Sequence, residues 1–400
     1  MRGSTVLADR ISQYVHGLDS AVARTVTEAA ARVPQFAARL AAAGIDQVRG
    51  VADLDRLPVQ GKDELIAAQR ASPPFGGAVA ADATVRKVFA SPGPLFEPQL
   101  SGTDPWRWGQ ALRAAGFGPD DVVLNCFSYH LSPAGAMFEE GALALGATVV
   151  PAGVGNQELQ IQVALRVDAS AYTGLPSYLK ALIDKAVTLG EPLAIRRALV
   201  TAEPLPDSLR AWLQSYVDTV HQAYGTAETG LLGYETAPNS GLALADGVLV
   251  QVCDPPTGTP VVDDSVGQVV VTLLRPDQPL VRFGTGDLSA WRLGADSSLR
   301  LAGVLGRIGE AVKVRGMFFH PRQAAQVLAA EAGIAAYRFV IDRVEHRDTL
   351  RCELVPAPSA DDGLAGRIQE AIRSRLRLAA EVVCVPALDD GPVLDDRRVW

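Results

Sequence analysis

IRRALVTAEPLPDSLRAWLQSYVDTVHQAYGTAETG, residues 195–230, is the stretch that decides the fold. Ile195 to Thr201 reads as a strand, Asp207 to Tyr216 as a helix, and Asp218 to Gln222 as a second strand. A small-residue turn follows, with Tyr224 on one side of Gly225-Thr226-Ala227 and Glu228 on the other. Gly225 lets backbone approach a ligand closely. Thr226 offers a hydroxyl, and Glu228 could hold a hard cation such as Mg2+ through oxygen. Taken alone, such a turn reads equally as plain loop chemistry.

The same alternation extends upstream. Trp106 to Ala115 reads as a helix, Val122 to Phe127 as a strand, and Pro133 to Leu145 as a helix. Strands at 147–151 and 169–173 and helices at 158–167 and 176–188 complete the run. Strands alternating with helices imply an α/β fold with a mostly parallel sheet covered on both faces. Ligands of such sheets bind beyond the carboxyl ends of the strands. Loops 128–132, 202–204 and 224–228 therefore face one crevice.

Downstream, Val248 to Cys253 and Gln268 to Leu274 are β-rich and separated by a Pro/Gly turn, which reads as an antiparallel, barrel-like region. Arg282 to Leu288 places Asp287 after a Gly-rich turn, and residues 306–316 are Gly-punctuated and carry Arg307, Lys313 and Arg315. Residues 317–400 read as helix, strand, strand, helix, strand. The expected division is a large domain over 1–307 and a small α+β domain over 308–400. Upstream, residues 19–43 read as two helices divided by Pro34, and residues 1–50 carry no site signal. Leu57 to Leu65 reads as a turn opening a helix. After a short strand at Val85 to Ala90, the three prolines of Ser91 to Pro98 predict a rigid loop without regular structure. Proline has no N–H to donate and Glu97 repels phosphate, so this loop is a poor phosphate cradle by its own chemistry.

Four hundred residues suggest two or three domains. A formal net charge of -8 argues against a general nucleic-acid binder. Cys126, Cys253, Cys352 and Cys384 are far apart in apolar runs, with no zinc-like spacing, and read as buried reduced thiols of a cytoplasmic protein. Neither a signal peptide nor a membrane-spanning run is visible.

The order of motifs is more specific than any one of them. Tyr224-Gly-Thr-Ala-Glu228, Thr285-Gly-Asp287, Gly306-Arg307 and Lys313-Val-Arg-Gly316 together resemble the adenylate-forming superfamily, and within it the phenylacetate–CoA ligases. Leu57-Pro58-Val59 with Lys62, Gly118 to Val123, Leu145 to Pro151 and Thr201 to Leu205 resemble further motifs of that group. The resemblance covers about residues 50–400. It implies a two-step reaction, in which a carboxylate attacks the α-phosphate of ATP to give an acyl-adenylate, and a thiol, usually of CoA, then displaces AMP. The small C-terminal domain is expected to rotate between the steps. Roles carried over by the resemblance place Tyr224, Gly225, Thr226 and Glu203 at the nucleotide, Asp287 on the ribose, Arg307 between ribose and phosphate, and Mg2+ on Glu228. Phe127, Tyr129, His130, Ala134, Gly135 and Met137 are expected to line the acyl pocket, whose mix suits an aromatic or medium-sized carboxylate.

Three departures qualify that picture. Glu97 stands where a Lys is expected, so the outer phosphates of ATP lose a partner. The C-terminal run Asp389 to Arg398 lacks the expected catalytic Lys, leaving Arg397 or Arg398 as substitutes. Gly309 and Glu310 replace the usual hinge Asp. Three readings remain open. They are an acyl–CoA ligase of a biosynthetic pathway; a repurposed enzyme performing ATP-independent acyl transfer or hydrolysis, with His130 as candidate base; and a non-catalytic pathway partner. The expected ligands are ATP or AMP, Mg2+, CoA, and a small carboxylate or its acyl derivative. A carrier protein, another pathway enzyme and a homodimer are open as partners.

Overall fold

The computed structural model describes residues 2–91, 95–308, 312–315, 317–319, 321–329, 331–376 and 378–398. Its contacts divide the chain into two units, Met1–Gly306 and Arg307–Trp400.

The first unit opens with helices α1 (Arg2–Arg32), α2 (Pro34–Ala42), α3 (Val51–Leu54) and α4 (Lys62–Ala71). Pro34 sits in the first turn of α2, where a missing N–H costs nothing. Strands β1 (Val85–Ser91) and β2 (Leu95–Leu100) follow. Then come α5 (Trp108–Ala114), β3 (Val122–Asn125), α6 (Ala134–Ala144), β4 (Thr148–Val150), α7 (Gln157–Arg166), β5 (Ala171–Gly174), α8 (Pro176–Leu189), β6 (Arg197–Val200) and α9 (Asp207–Gln214). The remainder is all β: β7 (Thr219–Thr226), β8 (Gly230–Tyr234), β9 (Leu242–Leu244), β10 (Val248–Cys253), β11 (Gly267–Leu273), β12 (Phe283–Ser289), β13 (Trp291–Leu293) and β14 (Leu299–Leu301).

The main sheet runs β13-β14-β9-β8-β7-β6-β5-β3-β4. Its half from β4 to β7 is parallel, and the half from β7 to β13 is antiparallel. The chain passes from β3 out to β4 and returns to β5 on the other side of β3. That reversal makes a switch point, where crevices open beyond strand ends. Leu124, Ile161, Leu179, Leu182, Leu209 and Val220 pack helices α7, α8 and α9 on one face of the parallel half. On the other face, Phe138 of α6 stacks on Phe127 at 4.2 Å and meets Trp108 of α5 at 4.1 Å. Each large apolar side chain so buried contributes about 1.5–3 kcal/mol. Strands β10, β11 and β12 form a separate antiparallel sheet.

One expectation is overturned. The proline-rich run is not an irregular loop throughout: β1 and β2 form an antiparallel hairpin with Phe89 opposite Glu97 and Val88 opposite Pro98. A two-stranded ribbon tolerates Pro98 because no third strand needs its missing N–H. Pro92, Gly93 and Pro94 lie outside the described residues, as do Gly309 and Glu310 of the hinge motif.

The buried Arg282 explains the Leu57-Pro58-Val59 motif. Its Nε donates to the Leu57 carbonyl (3.2 Å), one terminal nitrogen to Asp55 (3.0 Å), and the other to the Gly258 carbonyl (2.6 Å). Gln60 then exchanges backbone hydrogen bonds with Arg282 and Gly284, which delivers Lys62 to the side of β12. Elsewhere the Thr201 hydroxyl donates to the Ala223 carbonyl at 2.6 Å, tying the end of β6 to β7. Thr201→Val is expected to lower stability by about 1–2 kcal/mol, read from urea denaturation. An unchanged midpoint would show that the Ala223 carbonyl finds another donor.

The second unit has a four-stranded sheet. Ile334–Val344 and Arg347–Pro356 are its antiparallel centre, flanked by the parallel edge strands Leu394–Asp396 and Glu381–Cys384. Helices Pro321–Ala329 and Leu364–Ala371 complete it, around Phe319, Phe339, Ile341, Cys352 and Ile368. Of the four thiols, Cys126, Cys253 and Cys352 are buried as expected, but Cys384 is exposed because its strand is an edge.

Candidate functional site

The site is built where the parallel half of the main sheet ends. Strand β7 carries Tyr224 past the end of its parallel pairing with β6, where it pairs with Gly233 of β8, and the β7–β8 hairpin turns back over Ala227–Thr229. The Tyr224 hydroxyl donates to Asp287 Oδ2 at 2.9 Å and also meets Thr285 Oγ1 at 3.2 Å. Thr285 in turn donates to the Val269 carbonyl at 3.0 Å, and its Oγ1 accepts the Asp287 N–H at 3.1 Å. Asp287 thus lies within β12, not after a turn, and two separate sheets meet here through Tyr224 of one and Thr285 and Asp287 of the other.

Gly225 has a different reason from the one its position suggested. A side chain there would place its Cβ 2.4 Å from the Gly230 carbonyl oxygen and 2.9 Å from the Trp108 ring. The requirement for glycine is set by hairpin packing. The Thr226 hydroxyl is likewise used inside the turn, 2.9 Å from Thr229 Oγ1 and accepting the Thr229 N–H at 3.2 Å.

Glu228 is held by Lys62, with Nζ 2.9 Å from Oε1. Burial pushes its carboxyl up, but Lys62 outweighs that and leaves it below the ordinary carboxylate range. Glu97, on β2, is a second buried carboxyl beside this pair. It is 6% exposed, and neither oxygen has a hydrogen-bond partner. Burial, and then the negative Glu228, raise it to about 8, with the nearby Ser91 hydroxyl and then Lys62 offsetting part of the rise. Both glutamates line a cavity of about 300 Å³. Its other walls come from α2, α4 and residues 278–280. Residues 1–50, which carried no signal in the sequence, thus contribute Phe36 and Arg39 to a cavity wall.

The expected acyl residues sit one strand-end away. Asn125, fully buried at the end of β3, donates to the Tyr129 hydroxyl (2.7 Å) and the Gly135 carbonyl (2.8 Å) and accepts from Thr173 (3.0 Å). A Cβ on Gly135 would approach the Tyr129 ring to 2.7 Å, so the small residue is what admits Tyr129. Phe127 and Met137 are buried in the aromatic core, and Ala134 is half-buried at the start of α6. None of these lines the 300 Å³ cavity. His130 is exposed, its backbone N–H donating to Ser128 Oγ at 3.3 Å. Glu203 accepts a 2.5 Å hydrogen bond from Ser177, next to Ala202, whose φ of 69° makes the sharp turn after β6.

Arg307 belongs to the second unit. So do Arg397 and Arg398, the substitutes considered for the missing lysine. Both are engaged in ion pairs there: Arg397 with Asp395 at 2.7 Å, and the buried Arg398 with Asp348 at 2.9 Å and Asp396 at 2.7 Å.

The donor set fits a nucleoside better than a metal. Among the described residues no group of three His, Cys, Asp or Glu side chains could hold a cation. The one carboxylate assigned to Mg2+, Glu228, already has an ammonium 2.9 Å away. Tyr224 and Asp287, by contrast, bring an aromatic ring and a fixed carboxylate together, the side-chain types that a base and a ribose call for.

Known proteins resemble the chain as follows. Residues 106–272 match the model of the AMP-binding enzyme family. The chain is 28% identical over 397 residues to a phenylacetate–coenzyme A ligase of Aromatoleum evansii, covering 90% of this chain and 88% of that one. It is 29% identical to the phenylacetate–coenzyme A ligase of Thermus thermophilus, covering 78% and 75%. A solved 2-hydroxyisobutyryl-CoA ligase, in complex with its acyl-AMP and CoA, superposes with a TM-score of 0.84 at 22% identity, covering 97% of this chain and 90% of that one. Together these matches support the adenylate-forming superfamily, and within that class the chain is phenylacetate–CoA ligase-like. No described helix is long and apolar enough to cross a membrane.

Proposed function

We propose that this chain is an acid–thiol ligase that carries an aromatic or medium-sized carboxylate, as its acyl-adenylate, to the thiol of CoA or of a carrier protein. The observation that supports this most directly is the Tyr224–Asp287 bond at 2.9 Å, which holds a phenol of β7 and a carboxylate of β12 together just beyond the parallel pairing of β6 and β7. Tyr224 would present its face to the adenine, and Asp287 would accept from the ribose hydroxyls. Arg307, from the second unit, is the cation proposed for the phosphate side. Bound as part of the adenylate, AMP supplies the leaving group. The thiol sulfur forms the new bond to the acyl carbon, the C–O bond to phosphate breaks with its electron pair, and the thiol proton goes to base. Positioning of charge is what such a site contributes. Glu228 is proposed to act through its pair with Lys62, and no step is assigned to Mg2+.

A second reading, ATP-independent acyl transfer or hydrolysis with His130 as base, is favoured by one observation. Glu97 and Glu228 face one cavity with Lys62 already committed, which disfavours a triphosphate there. Calorimetry with AMP, ATP and CoA offered separately, beside pyrophosphate release over a panel of carboxylic acids, tests the choice. Acid-dependent pyrophosphate release is the expected result. AMP binding without ATP binding, and no release with any acid, would replace the first reading by the second. His130→Ala with unchanged turnover would then remove the base. Binding of neither nucleotide, with stable association to another pathway protein, would point to a non-catalytic partner.

A further inference from the structure

We propose that the 300 Å³ cavity between α2, α4 and β2 is a binding site for an apolar primary amine, whose ammonium group is received by the Glu97 carboxylate. This inference stands on the cavity alone and does not depend on which nucleotide reaction the chain performs.

A buried carboxyl normally has partners, because an unmet acceptor costs about 1–3 kcal/mol. Glu97 is 6% exposed and both of its oxygens lack one. The nearest cation cannot be its dedicated partner: Lys62 has its Nζ 2.9 Å from Glu228. What the site lacks is a positive donor: the neutral hydroxyl of Ser91 beside Glu97 offsets only part of the rise in its carboxyl, and two carboxyls share one ammonium. Burial and the nearby Glu228 raise Glu97 to about 8, so it holds its proton at neutral pH; a primary ammonium, with three N–H donors and no acceptor, matches the carboxylate left when that proton is released to solvent. An anion would meet Glu97 and Glu228 together and gain nothing from the apolar walls.

The other cations around Glu97 are tied down. Arg39 donates to the Val281 and Pro58 carbonyls, both at 2.7 Å. Arg107 and Arg275 line a smaller cavity of about 10 Å³ that Glu97 and Glu228 also border. Arg107 is bonded to the Thr229 and Leu231 carbonyls, and Arg275 to the Pro105 carbonyl and Gln278. That smaller space admits at most a water.

The remaining wall says what the rest of the ligand is. Phe36, Leu65, Phe75, Leu95 and Leu280 are apolar members of the lining. Its volume lies at the lower end of small-ligand pockets, which begin at about 300 Å³. An aromatic ring on a short amino-alkyl arm has the required shape, with one apolar end and one charged end. Gln69 closes the mouth by bonding the Phe96 backbone in both directions at 2.8 Å.

The test is calorimetry on the full chain with 2-phenylethylamine, 2-phenylethanol and 3-phenylpropionate. The amine is expected to bind at least tenfold more tightly than the alcohol of the same shape, and the acid not to bind. This comparison needs no variant, so it survives any folding defect. Glu97→Gln, checked for cooperative thermal unfolding, should bring the amine down to the affinity of the alcohol. Equal binding of amine and alcohol to the unaltered chain would overturn the proposal. So would preference for the acid, or for inorganic pyrophosphate, or an amine affinity that Glu97→Gln leaves unchanged.

Discussion

Replacing Glu235 by alanine is expected to lower the unfolding free energy by about 3–5 kcal/mol, the cost of leaving a buried charge without its partner. Glu235 has no exposed surface, and its partner Arg210 is 3% exposed. Two terminal nitrogens of Arg210 reach the carboxylate at 2.8 and 3.0 Å. The Gln222 and Asn239 N–H groups donate to the same carboxylate at 2.9 and 3.0 Å. Arg210 also donates to the Val220 carbonyl at 2.9 Å, so one ion pair binds α9 to both β7 and the end of β8. Alanine removes every acceptor at once and strands the guanidinium. Glu235→Gln keeps an acceptor without the charge and should fall between. Guanidinium denaturation at matched pH reads both. A loss under about 1 kcal/mol for alanine would mean that water enters and solvates Arg210, and that the pair does not hold β7 in register. Changing both residues to apolar ones of similar volume should recover most of the loss, which separates the cost of an orphaned charge from the worth of the pair.

That pair was invisible in the sequence, and the reason is general. Arg210 lies in a helix with a strong apolar stripe and Glu235 at the end of a strand, 25 positions apart. Only the fold brings them together. Periodicity, by contrast, is local, so the alternation of strands and helices from Trp106 to Gln222 could be followed element by element. The order of Tyr224, Glu228 and Asp287 was legible for the same reason: each sits in a short run of unusual composition. Their partners were not. Lys62 was noticed as part of a motif, yet nothing in the sequence says that its ammonium rests on Glu228. Three prolines between Ser91 and Pro98 argued against a strand, because propensity counts the missing N–H without knowing that the ribbon has no third strand. Gly225 was read as clearance for a ligand, whereas the clearance serves Gly230 and Trp108. Arg398 looked available as a cation because it lies near the chain end. Asp348, fifty positions away, buries it in an ion pair.

Asp287→Ala is expected to weaken AMP binding by about 100-fold, or about 2.7 kcal/mol. On the proposed reading the carboxylate accepts from the ribose, and charged hydrogen bonds are worth about 1.5–3 kcal/mol each. Asp287 is 9% exposed, so little water replaces what the ligand loses. It is also the acceptor for the Tyr224 hydroxyl, and alanine leaves that hydroxyl only Thr285 among the partners identified for it. Tyr224→Phe separates the two effects. It removes the hydroxyl and keeps both the ring and the carboxylate, and should cost no more than about tenfold. Calorimetry with AMP reads both variants. If Tyr224→Phe cost as much as Asp287→Ala, the phenol would be the group the nucleotide needs, and the carboxylate only its anchor. If Asp287→Ala bound AMP as tightly as the unaltered chain, the nucleoside reading of this crevice would fail. Asp287 does not line the 300 Å³ cavity, so the same variant should bind 2-phenylethylamine unchanged. Loss of both ligands together would mean that Asp287 acts by holding β12 against β7, and that its effect on AMP is structural.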